Sequence, residues 1–222
     1  MRITRRNAII SGTAALALGG VAVAFLWNGR TGEIASATAD TVATGDLMQA
    51  GPLGDQEMGA ETAPVTIVEY ASMTCPHCAN FAVNVLPKLK EHYIDTGKVR
   101  FIFREFPFDP VATGAFMLAR CADKDKYFPM IETLFQQQSK WAVREPMEPL
   151  LTIAKQAGFT ESSFKECLAN QKVLDGIEWV RNRAADKFKV NATPTFFING
   201  EMHRGEMTYD EMEKAIQPLL KA

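Results

Sequence analysis

Two cysteines separated by two residues, where a strand-like run passes into a helix-like one, constrain this chain more than any other feature. Residues 65–70 form a largely β-branched and apolar run of strand length, which predicts a buried strand. The quartet Cys75-Pro76-His77-Cys78 follows shortly after it. From Cys75 onward apolar residues recur at helical spacing for several turns. The quartet is therefore expected at the N-terminus of a helix that follows a strand.

The position of the first sulfur favours redox chemistry. At a helix N-terminus the Cys75 thiolate meets unpaired backbone N–H groups and the positive end of the helix dipole. Such surroundings lower the pKa of a cysteine from its usual value of about 8.5. We expect His77 to supply a second stabilising donor and Cys78, one turn deeper, to be the buried resolving cysteine. The prediction is a redox-active disulfide, Cys75–Cys78, that needs no other cofactor.

Metal binding is the main alternative for such a quartet. A lone Cys-x-x-Cys is often half of a zinc site, and a half-site needs two more ligands. Cys121 and Cys167 do not form a second close pair, and no two histidines have the spacing of a zinc site. We therefore predict no metal ligands. A copper-binding module that uses both thiolates and His77 remains the alternative from a different class of function.

A glutamate on the predicted strand is a candidate for proton transfer. Glu69 precedes Cys75 by six residues. If its side chain faces the helix that carries Cys78, burial raises its pKa and lets it exchange the proton that Cys78 gains or loses. The alternative is a strand-end glutamate that reaches solvent.

The order of the remaining elements predicts an α/β fold. Residues 99–104 alternate as a second strand, which a right-handed β–α–β connection makes parallel to the first. An insertion at about 111–188 carries patterns of four or five helices. Asn199-Gly200 suits a two-residue hairpin between two short strands, and an amphipathic helix follows. This order is the thioredoxin arrangement with a helical subdomain inserted before the final hairpin.

The N-terminus predicts export. Arginines precede residues 8–29, which carry no charge and are long enough to span a bilayer as a helix. Residues 1–39 are therefore expected to be a cleaved export signal or a retained membrane anchor. In both cases the C-terminal part lies outside the cytoplasm. We place a flexible spacer at 40–62 and the folded domain at 63–222.

Charge and cysteine content agree with an exported protein that does not bind nucleic acid. The formal net charge is -2, and no basic cluster occurs beyond the extreme N-terminus, whereas phosphate contacts demand a clustered basic surface. Four cysteines in an exported chain meet an oxidising compartment, where thiol–disulfide exchange has substrates.

The quartet after a glutamate-containing strand, the helical insertion and Thr193-Pro194 just before the hairpin together resemble the DsbA-type oxidases of the bacterial periplasm. Residues 103–107 are similar to the wider DsbA-like branch. The resemblance covers about residues 63–222. It implies a periplasmic, monomeric protein disulfide oxidoreductase that acts on reduced or unfolded exported polypeptides. A quinone-linked membrane oxidase of the DsbB kind would reoxidise it.

The same resemblance assigns roles to single residues. It implies that Cys75 forms the mixed disulfide with substrate. It also implies that the peptide bond between Thr193 and Pro194 is cis and presents backbone to a peptide beside Cys75. Some members carry a second disulfide, so Cys121 and Cys167 are either paired or two free core cysteines. A disulfide reductase or isomerase remains the alternative activity.

Overall fold

The computed structural model describes residues 41–221. The predicted export signal or anchor at residues 1–39 lies outside the described residues. Within residues 41–221 no helix combines the length and the apolar character that crossing a membrane requires.

The centre of the fold is a mixed five-stranded sheet in the order β1-β3-β2-β4-β5. The strands are β1 (Gln56–Met58), β2 (Val65–Ala71), β3 (Val99–Glu105), β4 (Thr195–Ile198) and β5 (Glu201–Arg204). Strands β2 and β3 are parallel, and the other neighbouring pairs are antiparallel. Asn199 and Gly200 have φ angles of 47° and 91° at the β4–β5 turn, as the hairpin requires. The predicted α/β thioredoxin arrangement is confirmed.

The helix predicted after the quartet is present, and it changes its hydrogen-bond pattern twice. Its four segments are α2 (Pro76–Asn80), a π-helical turn (Phe81–Val85), α3 (Leu86–Leu89) and a second π-helical turn (Lys90–Ile94). Pro87 lies within α3 and has no N–H to donate to the preceding turn. The wider π-helical turn just before it accommodates this missing donor.

The insertion carries more helices than predicted. Six α-helices and a short 3₁₀ turn lie between β3 and β4. The α-helices are α4 (Pro110–Cys121), α5 (Tyr127–Gln136), α6 (Gln138–Trp141), α7 (Met147–Gln156), α8 (Glu161–Leu168) and α9 (Gln171–Phe188). Helix α6 has four residues, too few to show helical periodicity in the sequence. A disulfide joins Cys121, at the end of α4, to Cys167 of α8, and their Cα atoms are 6.0 Å apart.

The expected flexible spacer at 40–62 is wrong for its described part, residues 41–62. That part contains α1 (Thr44–Leu47) and strand β1, which pairs with β3. Buried Arg104 on β3 donates to the Leu47 carbonyl oxygen at 2.7 Å and binds Asp55 through two nitrogens, at 2.9 and 2.8 Å. The folded unit therefore begins before Ala63, because a buried guanidinium and a short edge strand tie this segment to the sheet.

Side chains alternate across the sheet and divide the core in two. One face meets the helix that follows the quartet, where Phe81 lies 4.6 Å from Phe196 between ring centres. The other face meets α9, where Phe188 lies 6.0 Å from Phe197. Because residues two apart on a strand share a face, Glu69 faces the same way as Ile67, which belongs to the first core. Glu69 therefore lies under the helix that carries Cys78. The last helix is α10 (Tyr209–Leu219).

Candidate active site

The Cys75-Pro76-His77-Cys78 quartet lies at the N-terminus of a helix, as predicted. Cys75 is the N-cap residue of α2, with extended backbone angles, and Pro76 occupies the first turn, where no N–H is needed. The Ala79 N–H donates to the Cys75 carbonyl oxygen at 3.2 Å. Cys75 is partly exposed, Cys78 is buried, and both are free thiols in this structure. An accessible sulfur therefore lies at the helix N-terminus with a buried sulfur in the first turn behind it.

The surroundings of Cys75 favour its thiolate. They lower the pKa of Cys75 from 9.0 to about 5, chiefly through the hydrogen bond from the Cys78 thiol, against the opposing effect of burial. The Thr193 side chain and the backbone N–H groups of Cys78 and His77 stabilise the anion further. At neutral pH Cys75 is therefore ionised when the pair is reduced, as its position at the helix start predicts.

Glu69 and Cys78 form a buried acidic pair. Burial raises the pKa of Cys78 and that of Glu69 well above their usual values, and the Cys75 thiolate raises both further. Glu69 is 1% exposed, which overturns the alternative of a glutamate that reaches solvent. Its Oε1 has no hydrogen-bond partner among the described residues. A carboxyl group held neutral next to a buried thiol is suited to exchanging a proton with it.

The Glu69→Gln variant tests this arrangement. Above pH 4.5 the unfolded chain ionises Glu69 while the folded chain keeps it protonated, so wild-type stability falls as pH rises. Glutamine removes that slope. We therefore expect the variant to gain unfolding free energy relative to the wild type at pH 7 and much less at pH 4. Formation of the mixed disulfide from oxidised protein, the step in which Cys78 leaves and takes a proton, should slow by about tenfold or more. Urea unfolding at the two pH values and quenched-flow trapping measure these effects, and an equal gain at both pH values contradicts the assignment.

His77 contacts the site differently from the prediction. Its backbone N–H, rather than its ring, hydrogen-bonds the Cys75 sulfur. The ring Nδ1 lies 2.7 Å from Glu206 Oε2, and Asn80 donates to the other oxygen of the same carboxylate. This hydrogen bond to Glu206 raises the pKa of His77, and the Cys75 thiolate raises it further. When the ring is protonated, its charge and the Cys75 thiolate stabilise each other. Glu206 was not predicted, since it comes from the loop after β5 and only the folded topology brings it to the quartet.

Removing the carboxylate should lower the pKa of His77. In Glu206→Gln the ring loses its anionic partner, so it should deprotonate at a lower pH than in the wild type. Titration of the His77 ring protons by NMR in the oxidised protein measures the change. A titration curve unchanged from wild type would show that the Glu206 contact does not hold the ring in solution.

The loop before β4 completes the site. The peptide bond between Thr193 and Pro194 is cis, as the resemblance implies. Cys75 Sγ lies 3.2 Å from the Thr193 carbonyl oxygen, to which it donates in its protonated form. Residues far apart in sequence thus meet at one sulfur. No group of three or more metal-ligating side chains occurs among residues 41–221.

This combination defines a class of protein: a thioredoxin fold whose dithiol lies at a helix N-terminus, opposite a cis-proline loop. Residues 53–218 match the thioredoxin family. The chain belongs to the thioredoxin family.

Known relatives agree with the predicted DsbA-type branch. A putative protein-disulfide oxidoreductase of Rickettsia felis is 34% identical over 169 residues, which are 75% of this chain and 60% of the relative. A probable disulfide bond formation protein D of Bacillus cereus is 32% identical over 176 residues, with 75% and 79% covered. The crystal structure of α-DsbA1 from Wolbachia pipientis has a TM-score of 0.74 at 32% identity and covers 81% of this chain and 96% of that one. The chain spans about three fifths of the Rickettsia relative.

Proposed function

We propose that this protein is a thiol:disulfide oxidoreductase that donates the Cys75–Cys78 disulfide to cysteines of exported polypeptides. The observation that carries the proposal is the Cys75 sulfur, whose pKa is lowered to about 5 at the start of a helix, beside a buried partner thiol. A stabilised thiolate is a good leaving group and lowers the free energy of the reduced protein, so its disulfide is a strong oxidant.

The reaction takes place in two exchange steps. A substrate thiolate attacks Cys75 Sγ, the bond between the two protein sulfurs breaks, and Cys78 leaves with the electron pair and takes a proton, for which Glu69 is the nearby donor. A second substrate thiolate then attacks the substrate sulfur of the mixed disulfide, and Cys75 leaves as a thiolate. The substrate is oxidised by two electrons and the protein is reduced by two. The cis-proline loop offers the Thr193 backbone to the peptide on one side of the sulfur.

The cellular setting belongs to the same proposal. The arginines and uncharged run at the N-terminus support export, with the domain in the periplasm, either free or anchored by residues 8–29. The Cys75–Cys78 disulfide oxidises the substrate without a further cofactor. We infer that a quinone-linked membrane oxidase of the DsbB kind then reoxidises the reduced cysteine pair. The substrates are reduced or unfolded exported polypeptides, and the protein acts as a monomer.

Transfer to a peptide tests the proposal directly. Oxidised protein, with its N-terminal segment removed or held in detergent, is mixed with an unfolded peptide that carries two cysteines. One peptide disulfide should form for each protein disulfide lost, as followed by mass spectrometry after alkylation. Failure to transfer at a rate above that of oxidised glutathione at equal concentration contradicts the proposed function.

The reduced protein should be more stable than the oxidised one, with a defined pH dependence. The folded Cys75 thiol ionises at a pKa of about 5 and the unfolded one near 9.0. The stabilisation is therefore complete above pH 9 and is lost as pH falls through 5. At pH 7 it amounts to about 1 to 3 kcal/mol after allowance for solvent screening. Calorimetric melting of both forms at pH 5 and pH 7 checks this, and a gap that does not widen with pH contradicts it.

A further inference from the structure

We propose that Gln138, in the helical insertion, is a positioning residue that holds the loop carrying the reactive sulfur, so that the insertion sets the reactivity of Cys75. The inference rests on the proposed function for its role in disulfide transfer. Its geometric basis is independent of that function.

The Gln138 carboxamide spans the loop between β2 and α2. Its Nε2 donates to the Met73 carbonyl oxygen at 2.8 Å and to the Cys75 carbonyl oxygen at 2.9 Å. The two N–H groups of one amide therefore fix the carbonyls on either side of Thr74. Met73 is fully buried, so its carbonyl would be left without this donor in a place that water reaches poorly.

A buried tryptophan holds helix α6 in place. Trp141, the last residue of α6, is fully buried, and its ring N–H donates to the Leu134 carbonyl oxygen at 2.7 Å. This bond joins the short helix to α5. Because Trp141 is three residues after Gln138, about one helical turn, fixing the tryptophan also fixes the glutamine. The carboxamide is thus held by the insertion rather than by the loop it contacts.

A second contact holds the same loop from the start of α4. The Thr74 hydroxyl donates to Asp109 Oδ2 at 2.6 Å. The other carboxylate oxygen of Asp109 accepts from the Ala112 N–H at 2.8 Å and so caps α4. Residues 73–75 are therefore held at both carbonyls and at the Thr74 side chain, in each case by a residue that follows β3.

Fixing these groups matters for the sulfur. The N–H groups of His77 and Cys78 stabilise the Cys75 thiolate only if the N-cap backbone aims the sulfur at them. Cys75 supplies both its sulfur and the carbonyl that Gln138 binds, so a shift of that carbonyl moves the sulfur away from its donors. Misplacement of a reacting group by about 1 Å lowers a rate by as much as about 10²-fold.

Neighbouring glutamines give a matched test. Gln138→Leu keeps the size of the side chain and removes both hydrogen bonds, whereas Gln136→Leu alters an exposed glutamine that bonds Glu132 instead. The readouts are the Cys75 pKa, from the ultraviolet absorbance of the thiolate, and the rate of peptide oxidation. For Gln138→Leu we expect thiolate formation at a higher pH and a rate lower by roughly tenfold. Gln136→Leu should match the wild type in both.

Further variants separate positioning from folding. Gln138→Asn keeps an amide that is too short to reach both carbonyls, so it should fall between wild type and Gln138→Leu. Thr74→Val removes the hydrogen bond to Asp109 and should also raise the Cys75 pKa. This variant replaces Gln138→Leu as the test if Gln138→Leu does not fold. Folded Gln138→Leu protein with the wild-type Cys75 pKa and rate overturns the inference. Wild-type protein that fails to oxidise the peptide overturns the proposed function instead, since the pKa measurement does not depend on it.

Discussion

Cys75→Ser is expected to abolish disulfide transfer, because it removes the sulfur that the substrate attacks and that later leaves as a thiolate. A serine hydroxyl cannot form the disulfide, and it remains protonated at neutral pH. Peptide oxidation should therefore fall to the uncatalysed background, measured by alkylation and mass spectrometry.

Cys78→Ser is the matched control, since it removes the buried sulfur and leaves the Cys75 thiolate in place. Reduced Cys78→Ser protein should attack a disulfide-bonded peptide and accumulate the mixed disulfide, because no resolving thiol remains. Cys75→Ser should form no such adduct. Undiminished transfer by Cys75→Ser, or an adduct on Cys78 rather than Cys75, contradicts the division of roles between the two cysteines.

The double variant Cys121→Ala, Cys167→Ala should lose much of the stability of the domain. The disulfide joins residues 46 apart in sequence, and closing a loop of that length restricts the unfolded chain by about 4 kcal/mol in the entropic account. Changing both cysteines avoids leaving one unpaired thiol. Urea unfolding should show a lower midpoint and a somewhat steeper slope, because the unfolded chain without the cross-link exposes more surface.

Activity separates this disulfide from the redox centre. The two alanines lie at the C-terminal end of α4 and in α8, whereas the residues that hold the Cys75 loop are Asp109, at the opposite end of α4, and Gln138 of α6. Below the new melting temperature the double variant should still oxidise peptides at close to the wild-type rate. An unfolding free energy equal to that of the wild type would show that the Cys121–Cys167 bond does not constrain the chain in solution.

The parts of the fold that follow local rules were predictable from the sequence. The strand at 65–70, the helix start at Cys75 and the turn at Asn199-Gly200 each depend on residues within a few positions of one another. Their residue types predict the local structure: an apolar, β-branched run is typical of a buried strand, and Asn-Gly tolerates the positive φ angles of a tight hairpin. These elements were enough to define the thioredoxin arrangement and the position of the dithiol.

The remaining features depend on contacts between distant residues. Strand β1 has three residues, which are too few to show an alternating pattern. The segment before β1 is held by the Arg104 guanidinium of β3, a contact that the sequence does not indicate. Glu206 and Gln138 carry no local signal, because any surface loop or helix end can contain such residues. The orientation of the His77 ring could not be predicted for the same reason, because the carboxylate that binds it comes from beyond β5.

The equilibrium between this protein and glutathione tests the central claim most directly. If the helix start stabilises the Cys75 thiolate, the reduced form is favoured and the Cys75–Cys78 disulfide is strongly oxidising. The reduction potential at pH 7, measured in glutathione buffers by alkylation and mass spectrometry, should then be less negative than about -180 mV. A potential near about -270 mV, typical of a reducing thioredoxin, would contradict the account.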